Sequence, residues 1–111
     1  MYLTNAKEEF VKMVGEREVV CATVGACFFD EDIANKSLNL KCNYTQEEYE
    51  EFLNQLDFEY EDGFGLQHIT GIVWFSDGTW AERGEYDGSE WWAIVKRPEI
   101  PNRLRRENET N

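Results

Sequence analysis

The stretch Ile72–Val95, IVWFSDGTWAERGEYDGSEWWAIV, decides the fold of this chain. It holds all four tryptophans and turns twice on an Asp-Gly pair, Asp77-Gly78 and Asp87-Gly88. Asp-Gly between two strand-like runs is the strongest short-range signal for a two-residue hairpin, because both residues tolerate the positive φ that such a turn requires. The stretch therefore reads as a three-stranded antiparallel meander. A two-residue first turn pairs Phe75 with Trp80, Trp74 with Ala81, Val73 with Glu82 and Ile72 with Arg83. A two-residue second turn pairs Glu85 with Glu90, Gly84 with Trp91 and Arg83 with Trp92.

Side chains alternate between the faces of a sheet, so these registers sort the meander into two sets. One face receives Ile69, Gly71, Val73, Phe75, Trp80, Glu82, Gly84, Tyr86, Trp91, Ala93 and Val95. The other receives Thr70, Ile72, Trp74, Ala81, Arg83, Glu85, Glu90, Trp92 and Ile94. On the first face Trp91 covers Gly84, a ring filling the place of an absent side chain. On the second, Arg83 lies between Ile72 and Trp92, where a guanidinium stacks on an indole. Glu82 is the odd member of the first face: buried, it would need a donor, and its carboxyl would be the best candidate for chemistry.

Working outward, Thr4 caps a first helix over about residues 5–14, with Phe10, Val11 and Val14 as its apolar stripe and Gly15 as its stop. A strand over 18–29 carries Val, Cys, Ala and Phe at both parities, which predicts burial on both faces. The segment LNLKCNY alternates, with Leu38, Leu40, Cys42 and Tyr44 inward, and hairpins back on that strand. Thr45 with Glu48 forms a capping box that opens a second helix over 46–56, with Tyr49, Phe52, Leu53 and Leu56 on one side and Glu47, Glu48, Glu50 and Glu51 in solvent. The acidic, aromatic segment DFEYEDGFG reads as a loop. The expected fold is α+β: a five-stranded antiparallel sheet, a hairpin plus a three-stranded meander, with two helices packed on one face in the order αββαβββ. Residues 1–104 form one domain and 105–111 a flexible polar tail.

The net charge of −12 is the strongest compositional fact. Residues 1–95 carry 20 acids against 6 bases, whereas 96–111 carry 3 against 5. Direct binding to nucleic acid is excluded, since phosphate contacts need clustered Lys and Arg. A basic protein partner, or one that itself binds nucleic acid, is compatible with this charge. The N-terminus has no signal-peptide pattern and no apolar run approaches membrane-spanning length, which predicts a cytoplasmic protein without membrane contact. The three cysteines read as reduced, buried thiols. Cys21, Cys27, Cys42 and His68 lack the short Cys-x-x-Cys knuckles of a zinc site, so neither metal nor cofactor is expected.

No catalytic pattern stands out. The chain has one histidine, His68, no phosphate-cradling loop, and its Glu82 and Glu85 sit on opposite faces of one strand, which rules them out as an acid/base pair. Two short helices cover one face of five strands, so the face carrying Trp74, Trp92, Ile72 and Ile94 needs another cover. Three covers are available: the segment KRPEIPNRL, with Pro98 and Pro101 holding it extended and Ile100 and Leu104 as anchors; a second copy of the chain; or a partner protein. A carbohydrate stacking on Trp74 and Trp92 is a further reading, which an arginine between the rings disfavours.

The run DGFGLQHITGIVWFSDGTWAERGEYDGSEWW followed by RPEIPNRL resembles small bacteriophage accessory proteins with a D-G-T-W…R-x-E-Y-D-G-x-E-W pattern ahead of a Pro-x-Ile-Pro tail, over about residues 57–104. That resemblance implies a context in which small acidic proteins inhibit host defences, as anti-CRISPR and anti-restriction proteins do. Together these readings predict a non-enzymatic acidic protein of the host bacterial cytoplasm that binds and inhibits a host protein, including one that binds nucleic acid, with a homodimer as the alternative. The expected docking site centres on Trp74, Arg83 and Trp92, with Asp77, Glu85, Asp87 and Glu90 as its rim.

Overall fold

A computed structural model describes residues 2–26, 36–62, 67–86, 89–97 and 101–104. The elements run β1 (Tyr2–Asn5), α1 (Ala6–Val14), β2 (Val19–Ala26), β3 (Lys36–Leu40), α2 (Gln46–Gln55), β4 (Glu59–Asp62), β5 (Ile69–Phe75), β6 (Trp80–Tyr86) and β7 (Ser89–Val95), with a 3-10 turn at Asn102–Leu104. Five strands form an antiparallel sheet in the order β3-β2-β5-β6-β7, and β1 pairs with β4 in a separate ribbon. The expected α+β architecture, hairpin and meander included, is therefore present. Residues 105–111, Cys27, Asp87, Pro98 and Ile100 lie outside the described residues.

Both helices start and stop where local chemistry directs. Asn5, rather than Thr4, caps α1, its side chain accepting from the Glu8 N–H at 2.9 Å. Gly15 ends the helix at φ +56°, a conformation that costs other residues more. For α2 the Thr45–Glu48 capping box is complete, each side chain bonding the other's backbone N–H at 3.1 Å. Ala6, Phe10 and Val14 of α1 are buried while Val11 is 46% exposed, so the stripe follows i, i+4, i+8 and leaves Val11 out.

One core joins these helices to one face of the sheet. Val19, Ala22 and Val24 of β2, Leu38 and Leu40 of β3, Ile69, Val73 and Phe75 of β5 and Ala81 of β6 pack with Phe10, Val14, Phe52 and Leu56. Phe10 and Phe52 meet edge-on at 5.4 Å, which locks α1 to α2. Burying each such large side chain contributes about 1.5–3 kcal/mol. A bulge at Val20 lets Val19 and Ala22 both face this core. Thr23 of β2 is exposed and Cys21 and Gly25 are half-buried, so β2 is buried on one face and not on both. Cys42 is likewise exposed rather than inward, beyond the end of β3.

The segment expected as a loop contains a strand. Glu59–Asp62 pairs antiparallel with Tyr2–Asn5, and the Ala6 N–H donates to the Phe58 carbonyl at 2.9 Å. Neither strand has the apolar alternation that announces one locally. Their pairing brings together residues some 57 positions apart, as Leu3 with Glu61 and Thr4 with Tyr60. Among the described residues no helix is long and apolar enough to cross a membrane.

Candidate functional site

The register of the first meander turn sets everything that follows. The Gly78 N–H donates to the Phe75 carbonyl at 3.2 Å, and the Phe75 N–H donates to the Thr79 carbonyl at 3.0 Å. Three residues, Ser76, Asp77 and Gly78, thus form the loop, with Gly78 at φ +88°. The Asp77 carboxylate accepts from the Thr79 hydroxyl and, at 2.9 Å, from the Thr79 N–H. The hydroxyl bond first and the amide bond second hold the Asp77 carboxyl below its usual range. The Ser76 N–H donates to the Glu18 carbonyl at 3.0 Å, tying the turn to the approach of β2.

The extra loop residue shifts β6 by one position against β5. Trp74 faces Trp80, Val73 faces Ala81 and Ile72 faces Glu82, in place of the expected Trp74–Ala81, Val73–Glu82 and Ile72–Arg83 pairs. The second hairpin has the expected register, with Arg83 opposite Trp92, Gly84 opposite Trp91 and Glu85 opposite Glu90. A one-residue slip moves a strand's side chains to the other face. Here β6 and β7 move together, so Arg83, Glu90 and Trp92 go under the helices while Trp80, Glu82 and Trp91 go to the open side. The expected grouping of Trp74 with Arg83 and Trp92 is thereby corrected: the sheet separates Trp74 from the other two.

Arg83 is the centre of a buried network, its side chain 1% exposed. Its Nη2 donates to Glu90 Oε1 at 2.9 Å and to the Tyr60 hydroxyl, and its Nε lies 3.2 Å from the same Glu90 oxygen. Its Nη1 lies 3.0 Å from Glu9 Oε1 of α1, an ion pair without hydrogen-bond geometry. Glu9 Oε1 in turn accepts from the Tyr60 hydroxyl at 2.7 Å. The Glu90 carboxylate, fully buried, also accepts from the His68 and Ile69 N–H groups at 2.7 and 2.9 Å. The guanidinium sits 5.2 Å from the Trp92 ring, the stacking expected from the sequence, and 5.7 Å from the Tyr60 ring. Phe10 also meets Trp92 edge-on, at 6.1 Å.

This cluster joins α1, β4, the start of β5, β6 and β7 in one place. Burial alone would lower the Arg83 pKa, but the Glu9 carboxylate, then Tyr60 and Glu90, outweigh it and raise it, so the residue stays a cation. Burial, followed by the hydrogen bond to Glu9, pushes the Tyr60 phenol far above its usual range against the opposing pull of Arg83. Glu90 is buried and is not the exposed rim acid expected of it. Its chemistry is that of a structural clasp.

The opposite face of the sheet carries the aromatics without a cover among the described residues. Trp74 is 41% exposed, Trp91 44% and Tyr86 77%. Ile72 and Trp80 are half-buried between them. The Trp91 ring lies over Gly84, where a methyl group would meet it at 2.9 Å, as the sequence led us to expect. Glu82 is exposed and accepts from the Trp80 indole N–H at 2.9 Å, so it is no buried acid. Among the described residues of the five strands, Glu82 is the charged side chain of this face, in a chain of net charge −12. Pro101 and Leu104 of the C-terminal segment are exposed.

Of the expected rim, Asp77 and Glu85 are exposed, Glu90 is buried, and Asp87 lies outside the described residues. Trp80 and Trp91 were missed as members of the Trp74 face, and Glu9 and Tyr60 as partners of Arg83. The sequence held one signal for the first error. A carboxylate beside Val73 in the core was the anomaly of the two-residue register, and moving one residue replaces it with Ala81, which is fully buried. Among the described residues no group of three or more His, Cys, Asp or Glu is placed to hold a metal ion. Cys21 and Cys42 are free thiols, and burial, then the neighbouring Cys42, raises the Cys21 pKa. Compared with known proteins, the chain matches no family model, no curated protein and no solved structure.

Proposed function

We propose that the chain is a non-enzymatic binding protein that docks another protein on the open face of its sheet, centred on Trp74, Trp80 and Trp91. The observation that carries this reading is the split of neighbouring tryptophans: Trp92 is held in the core by Arg83 and Phe10, while Trp91 and Trp74 remain more than two-fifths exposed on a face with Glu82 as its charge. Large aromatic side chains on such a patch are the groups that supply most of the energy of protein–protein contacts. Net charge favours a basic partner and discourages nucleic acid, so the partner class is a host protein that itself binds nucleic acid. The inhibitory, phage-type role in the bacterial cytoplasm rests on the D-G-T-W…E-W resemblance.

A homodimer through the same face is the second reading. It is favoured by the scarcity of charge there, which lets two acidic copies meet with Glu82 as the carboxylate that each brings to the contact. Affinity capture from a bacterial lysate, with the wild type beside a Trp74→Ala/Trp91→Ala double variant, tests the first reading. The double variant should keep its melting temperature and lose the captured protein. A folded double variant that still captures it would leave this face without a role. Sedimentation of the wild type as a dimer, and of the variant as a monomer, would transfer the face to self-association.

A further inference from the structure

The five-stranded sheet ends on β3 at one side, and among the described residues no strand pairs with the outer edge of β3. Beside that edge runs a groove of about 450 Å³ whose other wall is α2. Its strand wall consists of Leu38, Asn39 and Leu40 of β3 together with Lys41, the residue that follows them. Successive side chains of a strand point to opposite faces, so a cavity that touches all three strand residues follows the edge of the strand rather than either face. Along such an edge every second residue turns its N–H and C=O outward with no partner strand. The helix wall offers Phe52 and the carboxylates of Glu47, Glu48 and Glu51.

We infer that the β3–α2 groove binds an extended basic peptide segment as a sixth strand of the sheet. The outward backbone groups of β3 supply hydrogen bonds, Phe52 an apolar contact, and the glutamates of α2 the charge for Lys or Arg side chains. A strand edge beside a helix is a recurring way of holding extended peptides, with affinity from the main chain and selectivity from the flanking side chains. Charge selects the occupant. Three carboxylates against the single ammonium of Lys41 line the groove, which repels an acidic segment and a second copy of a chain at −12 alike. Two of the acids are held in place: Glu48 by the Thr45 N–H at 3.1 Å and Glu51 by the Gln55 side-chain amide at 3.1 Å. β3 is five residues long, so at about 3.3 Å per residue it spans about 16 Å and takes a segment of about five residues. The groove is distinct from the Trp74 and Trp91 face, and its role stands or falls separately from that of the aromatic patch.

The test uses a fluorescein-labelled octapeptide of alternating Lys and Val, read by fluorescence anisotropy, and two forms of it N-methylated at either set of alternate residues. Saturable binding is expected, weakened by about tenfold or more when the methyl groups replace the N–H groups that face β3, and little changed by the other methylated form. A Glu47→Lys/Glu51→Lys variant, with its helicity checked by circular dichroism, should weaken binding by a similar factor. Amide chemical-shift changes should concentrate at 36–41 and along α2, and Trp74→Ala/Trp91→Ala should bind the peptide as the wild type does. Absence of saturable binding would overturn the inference. So would equal affinity for both methylated forms and the unmodified peptide, which is the signature of charge adsorption without strand addition.

Discussion

The two hairpins of the meander share an Asp-Gly dipeptide but close over different lengths of chain. Three residues separate Phe75 from Thr79 in the first, with Gly78 in the positive-φ region; two separate Tyr86 from Ser89 in the second. That single residue determines which side of β6 and β7 meets the helices. It puts Arg83, Glu90 and Trp92 inside and Trp80, Glu82 and Trp91 outside. A turn thus sets not only where two strands meet but which of two adjacent tryptophans becomes core and which becomes surface.

The most severe way to break this comparison is to impose the other register on β5 and β6. Deleting Thr79 keeps Ser76-Asp77-Gly78 as the loop but puts Trp80 opposite Phe75, which would drive Glu82 into the core and Arg83 out of it. The deletion variant should lose its cooperative unfolding transition in urea, followed by tryptophan fluorescence. A variant that unfolds at the wild-type midpoint would show that the pairing of β5 with β6 does not decide which face is buried.

Next in size are changes inside the clasp. Arg83→Met leaves the Glu90 carboxylate buried without its cation and should destabilise the fold by about 3–5 kcal/mol, part of which Glu90→Gln in the same chain should restore. Trp92→Ala should cost about 3–5 kcal/mol, whereas Trp91→Ala, one residue away on the open face, should cost less than about 1 kcal/mol. Equal losses for the two tryptophans, measured by urea midpoints, would contradict the assignment of faces.

The glycines sharpen the same contrast on a smaller scale. A methyl group on Gly71 would meet the Thr23 carbonyl oxygen at 2.5 Å, a backbone atom, and the Trp92 ring at 3.2 Å. On Gly84 it would meet only the exposed Trp91 ring, which can swing away. Gly71→Ala should therefore destabilise at the upper end of about 1–3 kcal/mol and Gly84→Ala at the lower end. The smallest effect is alkaline. Tyr60 holds its proton in the folded state well above the usual phenol range, while in the unfolded chain it titrates near pH 10. Its contribution is complete below that pH and declines as pH rises beyond it. A near-ultraviolet titration should show Tyr60 ionising only as the chain unfolds, and replacement by Phe should abolish that late step.

How much of this was legible depended on how local each signal was. Helix α2 was announced by Thr45 and Glu48 three residues apart, the end of α1 by Gly15, and the second hairpin by Asp87-Gly88 between two apolar runs. The candidate face was half legible: Trp74 was placed on the uncovered side, but it was grouped with the wrong tryptophan. The acids of the expected site divided: Glu90 followed Arg83 inward, whereas Asp77 in the first turn and Glu85, opposite Glu90 near the end of β6, are exposed.

The sequence by itself determined the elements whose causes lie within a few residues: the period-two alternation of the meander, the capping box of α2, the stop of α1 at Gly15, the pairing of Gly84 with Trp91. Only the tertiary structure decided the first register, the β1–β4 ribbon and the burial of Arg83. A two-residue and a three-residue loop through Asp77-Gly78 are both locally acceptable. Their balance is settled at a distance, by Ala81 rather than Glu82 filling the space beside Val73, and by Glu9 of α1, Tyr60 of β4 and Glu90 of β7 converging on one guanidinium. Those partners come together only once the chain has folded, and no local pattern records them.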